Sequence, residues 1–149
     1  MLCSPSNGVM VMKTDGVVLT RIVADAQRSL EFYRDGLGMA EAKIMDGIVW
    51  LALPGLTLFL SDAKAFSRNT GMDPGTLGGV GGAGSDGLLS CAIASTEEVD
   101  GLLDSALAAG GTVSGPRTLD HSSGHRQYIG TVTDPDGYLW QLVCNISEP

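Results

Sequence analysis

Cationic side chains are scarce in this sequence. Nine Lys and Arg stand against seventeen Asp and Glu, a formal net charge of −8, and no basic stripe could neutralise a run of phosphates. Nucleic acid is thereby excluded as a partner, and the acidic surface serves mainly solubility. Cysteine is sparse too. Cys3, Cys91 and Cys144 are widely spaced and never form a CxxC pair, which argues against a disulfide framework or a thiolate zinc site and predicts reduced thiols. Histidine occurs only as His121 and His125. No stretch approaches the ~20 consecutive apolar residues that span a bilayer, and the opening MLCSPSNGVMVMK lacks the basic start and long apolar run of a secretory signal. A cytoplasmic protein with no membrane partner is expected.

What is present is material for a core: 44% of the 149 residues are hydrophobic and 17% charged. At this length a single domain over 1–149, with room for an internal duplication, is expected. Residues 17–23, VVLTRIV, are β-branched and apolar enough for a buried strand, and Asp25 can cap a helix running from about Ala26 to Asp35. Leu30, Tyr33 and Leu37 share one face of that helix, and Gly36-Leu37-Gly38 ends it. Three strands are predicted at 39–45, 47–53 and 56–61, separated by Asp46-Gly47 and Pro54-Gly55, both strong turn signals. The unit, about 16–62, is βαβββ.

The same order recurs after a glycine-rich crossover, 69–87, whose length and lack of apolar periodicity suit either a lid or a plain linker. Its glycines lack the Lys-Ser/Thr of a phosphate-binding loop. Residues 88–94, LLSCAIA, read as a strand; Ser95 and Glu98 form a capping box; Val99, Leu102, Leu103, Ala106 and Leu107 make the buried stripe of a helix that Gly110-Gly111 stops. Strands are predicted near 112–115, 126–133 and 138–144. The last two flank the turn Asp134-Pro135-Asp136-Gly137, whose carboxylates are expected to bond nearby backbone amides. Two copies of one element order, the second over about 88–145, indicate duplication.

Two segments carry a family resemblance. VVLTRIVADAQRSLEFYRDGLGM at 17–39 resembles the opening strand and helix of the vicinal oxygen chelate superfamily, the glyoxalase/bleomycin-resistance/dioxygenase group, through Ser29, Phe32, Tyr33, Leu37 and Gly38. TDPDGYLWQLVCN at 133–145 is similar to its closing hairpin, and EEVDGLLDSALAAGG at 97–111 to its second helix. The resemblance implies an α+β fold in which two βαβββ modules form an open, cup-shaped mixed sheet with helices on its outer side. It also implies a homodimer, in which neighbouring modules cover open sheet edges.

In metal-dependent members, four His, Glu or Gln ligands project into the cup from the first and last strands of each module. Registering this chain on its glycines and turns places Val18, Phe59, Cys91 and Gln141 at those positions. Their same-face neighbours are Thr20 and Ile22, Thr57, Leu89 and Ile93, and Leu139 and Val143. A shift of one residue would offer Leu19, Leu58 or Leu60, Ser90 or Ala92, and Trp140 or Leu142. Valine and phenylalanine have no donor atom, so no metal site is expected here. Either these residues line a small-molecule pocket or they fill a closed core. Trp50 could stack on a planar ligand, while Trp140 packs under the helices. With no base to activate it, Cys91 reads as an inert thiol.

His121 and His125 belong to a loop at the cup's mouth, where Ser122-Ser123-Gly124 argues against a helix that would aim both rings at one ion. The reading is a metal-free, cofactor-free protein that encloses an apolar or aromatic small molecule. The alternative is a glyoxalase-like lyase, isomerase or dioxygenase using one divalent metal ion.

Overall fold

The computed structural model describes residues 10–78 and 87–146. Module one begins with β1 (Val18–Ile22) and α1 (Ala26–Glu31), with the Asp25 carboxylate accepting from the Arg28 amide as N-cap. A π-helical turn, Phe32–Gly36, follows directly. Then come β2 (Lys43–Met45), β3 (Ile48–Leu53), β4 (Leu56–Ser61) and α2 (Ala63–Thr70), with a short 3-10 turn at Pro74–Leu77. Module two contains β5 (Leu88–Ala92), α3 (Thr96–Ala108), β6 (Thr112–Asp120), β7 (Arg126–Thr133) and β8 (Leu139–Asn145).

Each module is a four-stranded open mixed sheet, in the orders β1-β4-β3-β2 and β5-β8-β7-β6. The first strand of each runs parallel to the last, and the other pairs are antiparallel. The α+β architecture of two βαβββ units is therefore present. Among the described residues no helix is long and apolar enough to cross a membrane.

Three boundaries and one element differ from expectation. Residues 39–42 form a turn, so β2 keeps only Lys43–Met45 of the strand predicted at 39–45. The first helix leaves α geometry at Phe32. Strand β6 does not stop near 115 but continues to Asp120, across an irregularity between Ser114 and Arg117 that contains the cis Gly115–Pro116 peptide. Helix α2 was not predicted at all. Part of the expected crossover is thus structured, while its 79–86 portion lies outside the described residues.

One apolar core joins the two modules. Tyr33, Val49, Leu58 and Leu60 of the first contribute to the same cluster as Val99, Leu103, Trp140 and Leu142 of the second. Fully burying each such side chain is worth roughly 1.5–3 kcal/mol. Close helix approach depends on Gly36, where a Cβ would come within 2.9 Å of the Ala109 Cβ. Beside that contact the Ser105 hydroxyl donates to the Gly36 carbonyl at 2.5 Å.

The Asp134-Pro135-Asp136-Gly137 turn fastens module two to module one. Asp134 Oδ1 accepts from the amides of Asp136 and Tyr138, as the sequence predicts. Its Oδ2 accepts from the Tyr33 hydroxyl at 2.5 Å, and that hydroxyl in turn accepts from Trp140 Nε1 at 2.9 Å. Asp136 Oδ1 accepts from the Ala24 amide and from Arg28 Nη2 at 2.9 and 3.1 Å. The Tyr138 hydroxyl donates to the Ile22 carbonyl, and the buried Arg21 guanidinium stacks 4.7 Å above the Tyr138 ring.

Burial pushes the Asp134 carboxyl above its ordinary range, against the bonds from Tyr33 and the two amides. Burial, and then the neighbouring Asp134 charge, push the Tyr33 phenol well up. The raised Asp134 value means that its net contribution to stability falls as pH rises through the folded pKa. The Tyr33 bond works in the opposite sense, because it favours the ionised carboxylate.

Tyr33→Phe should therefore cost about 2–4 kcal/mol, since it leaves a buried carboxylate oxygen and the Trp140 N–H without that partner. The loss should be larger at neutral pH than below the ordinary carboxylate range, where Asp134 is protonated in both forms. Denaturant unfolding of both proteins at the two pH values checks it, and a cost under about 0.5 kcal/mol would refute the role given to this bond.

Candidate functional site

Each sheet has one face under the helices and one turned away from them, and strand alternation assigns every residue to one or the other. In module one the helix side carries Leu19, Arg21, Val49, Leu51, Leu58 and Leu60. The open side carries Val18 opposite Thr57, Thr20 opposite Phe59, and Trp50 opposite Phe59 on the next strand. The Trp50 and Phe59 rings lie 4.7 Å apart with a 37° tilt, and Lys43 Nζ stands 5.4 Å from the Trp50 ring centre. Trp50 is 37% exposed.

Ile22 and Ser61 end this face and are buried, as are Ala65 and Phe66 of α2, which follows β4 and packs on it. Val18, Thr20, Thr57 and Phe59 thus share the open face, whereas Ile22 lies under its covered end.

In module two the open face of β8 carries Leu139, Gln141 and Val143. Strand β5 corrects the sequence reading. Leu89 and Cys91 stand opposite Trp140 and Leu142 on the helix side, and Ile93 packs against the core with them. Ser90, opposite Gln141, takes the open face instead. Because the side-chain period of a strand is two, a slip of one residue reverses every assignment. The helix N-caps hold the signal that would have set the register: Thr20 precedes Asp25 by the same interval as Ser90 precedes Ser95.

Two hollows adjoin β5. One, of about 340 Å³, lies on the open face and is lined by Ser90, Cys91, Ala92, Gln127, Gln141, Val143 and Asn145. The other, of about 370 Å³, is an apolar crevice between the modules where Leu89, Cys91 and Trp140 meet Leu53, Pro54 and Leu56. Burial raises the Cys91 thiol pKa, which keeps it protonated and weakly nucleophilic.

The two histidines lie in a loop, as expected, which is the turn between β6 and β7. The His121 amide donates to the His125 carbonyl, so the pair closes the β6–β7 hairpin. Their ring centres are 5.8 Å apart.

The open-face rows offer a divalent ion little. Thr20, Thr57 and Ser90 supply hydroxyls and Gln141 an amide, while Val18 and Phe59 supply nothing. Imidazole and carboxylate ligands are missing from these strands. Among the described residues, no three or more His, Cys, Asp or Glu side chains gather as a metal site. This donor set does not fit the metal centre that the resemblance implies.

Comparison with known proteins agrees with the architecture. A glyoxalase-related enzyme from Fulvimarina pelagi superposes with a TM-score of 0.66 at 21% identity, covering 90% of this chain and 89% of that one. A glyoxalase/bleomycin resistance protein/dioxygenase family enzyme from Burkholderia phytofirmans PsJN gives 0.68 at 16% identity, covering 87% and 97%. A glyoxalase/bleomycin resistance protein from Albidiferax ferrireducens T118 gives 0.64 at 21%, covering 85% and 96%. At such identities the likeness shows the fold alone. No curated protein matches the sequence. Residues 17–142 match the profile of the Glyoxalase/Bleomycin resistance protein/Dioxygenase superfamily, and the chain belongs to that superfamily.

Proposed function

We propose that this protein is a metal-free small-molecule binder that holds a planar, apolar or aromatic ligand on the open faces of its sheets. The observation that carries the reading is the Trp50–Phe59 pair, a partly exposed aromatic surface on a strand face that the helices do not cover. A flat ligand laid on it would bury apolar area and gain ring–ring contact. Thr20, Thr57, Ser90 and Gln141 supply the few polar groups that orient such a guest. The donor-poor strands support binding over a metal-assisted lyase, isomerase or dioxygenase reaction.

The same reading includes a homodimer. Edge strands β1, β2 and β5 expose Val18, Ile44, Met45 and Leu88, and a second copy is an economical cover for such edges.

N-phenyl-1-naphthylamine, a neutral planar fluorophore, should bind and quench tryptophan emission. Trp50→Ala should weaken that binding about tenfold, roughly 1.4 kcal/mol, with the unfolding midpoint little changed. Equal affinity in the variant would remove the basis of the proposal.

Added Zn²⁺, Ni²⁺, Mn²⁺ or Fe²⁺ should confer no glyoxalase-type activity. Metal-dependent turnover abolished by Gln141→Ala would establish the enzymatic alternative instead. Light scattering at micromolar concentration should give twice the chain mass, and a monomer there would rule out the dimer.

A further inference from the structure

We propose that the hollow on the open face of module two takes a planar, neutral molecule by a lactam-type edge, an N–H and a C=O side by side, paired with the Gln141 carboxamide. This deepens the ligand-binding proposal and rests on it, because it names the polar edge that the guest carries. Strand pairing carries the inference. Ser90 stands opposite Gln141, Gln141 opposite Thr131, and Thr131 opposite Ser114. These four side chains form one uncharged polar row across all four strands of the sheet. The matching row of module one is Thr20, Phe59, Trp50 and Lys43. Gln141 thus stands where the other module has Phe59.

Cross-strand neighbours of this kind can hydrogen-bond to one another. Among the described residues, however, the side-chain polar atoms of these four have no hydrogen-bond partner. Elsewhere in the hollow, Gln127 Nε2 donates to Asn145 Oδ1 at 3.0 Å. Of the three described carboxamides that line it, Gln141 therefore keeps both its oxygen and its nitrogen open to a guest.

The lining fixes the class of that guest. No charged side chain is among the residues around this volume of about 340 Å³, so an ion would lose hydration there without a counter-charge. A carboxamide presents an acceptor and donors in one plane. It pairs edge to edge with a group that sets a donor beside an acceptor, as Gln does with an adenine edge. Beside the polar row the same face turns apolar, with Leu88 opposite Leu139 and Ala92 opposite Val143. A flat ring resting on Ala92 and Val143, which also line the hollow, brings such an edge to Gln141. The Ser90 hydroxyl adds a further polar contact from the neighbouring strand.

Quinolin-2(1H)-one is a neutral, fluorescent probe with this edge, and 1-methylquinolin-2-one keeps its rings and carbonyl without the N–H. The protein should bind the first about tenfold more tightly, the scale of a pair of neutral hydrogen bonds made in exchange for water. Gln141→Leu should bring that ratio to about one, with the unfolding midpoint confirming the fold. In ¹H–¹⁵N spectra of the unaltered protein, the Gln141 side-chain amide signal should shift on adding quinolin-2(1H)-one. Equal affinity for the two ligands, an undiminished preference in Gln141→Leu, or an unmoved Gln141 amide signal would each overturn the inference. N-phenyl-1-naphthylamine separates the two failures. If it binds while the lactam preference is absent, this inference alone falls; if none of the three binds, the binding reading falls with it.

Discussion

The buried line from the Trp140 indole through the Tyr33 hydroxyl to the Asp134 carboxylate is the constraint on which the molecule's geometry rests. It joins the last strand, the first helix and the final turn. A carboxylate 4% exposed is costly to desolvate, and it survives because a phenol and two backbone amides converge on it. Removing Tyr33 would leave both the Trp140 N–H and Asp134 Oδ2 without this partner. Asp136, two positions on, adds the Ala24 amide and Arg28, so a tetrapeptide that closes one hairpin also bonds to module one.

Features governed by neighbouring residues were legible in the sequence. Asp25 and Ser95 cap their helices, and the turns at Asp46-Gly47 and Pro54-Gly55 separate strands as predicted. Helix α2 escaped because only Ala65 and Phe66 of its residues are buried, too few to make a periodic stripe. Its signals were the Asp62 cap and the left-handed Gly71 that ends it. Strand β6, expected only near 112–115, resumes beyond an irregularity between Ser114 and Arg117. The inter-module bonds of Asp134 and Asp136 link residues a hundred positions apart, beyond any local pattern.

The candidate site was half legible for a related reason. Alternation along a strand is visible in sequence, but its phase relative to the helices depends on pairing across the sheet. On β4 and β8 the phase was set by adjacent turns and Phe59 and Gln141 fall on the open face; on β5 no turn anchored it, and Cys91 fell on the other side. The resulting faces differ in part: sheet one carries the Trp50 and Phe59 rings beside Thr20 and Thr57, sheet two Ser90 and Gln141 beside Leu139 and Val143. A duplicated scaffold has thus kept its geometry while its halves hold different chemistry, as expected where function resides in side chains grafted on a common frame.

Helix α2 breaks the likeness between the modules in a further way. By packing over the end of sheet one where Ile22 and Ser61 are buried, it closes that margin of the open face. On the proposed binding reading, α2 would border one flank of a molecule laid on Trp50 and Phe59. A guest of the proposed kind would therefore meet helix rather than open strand on the α2 flank.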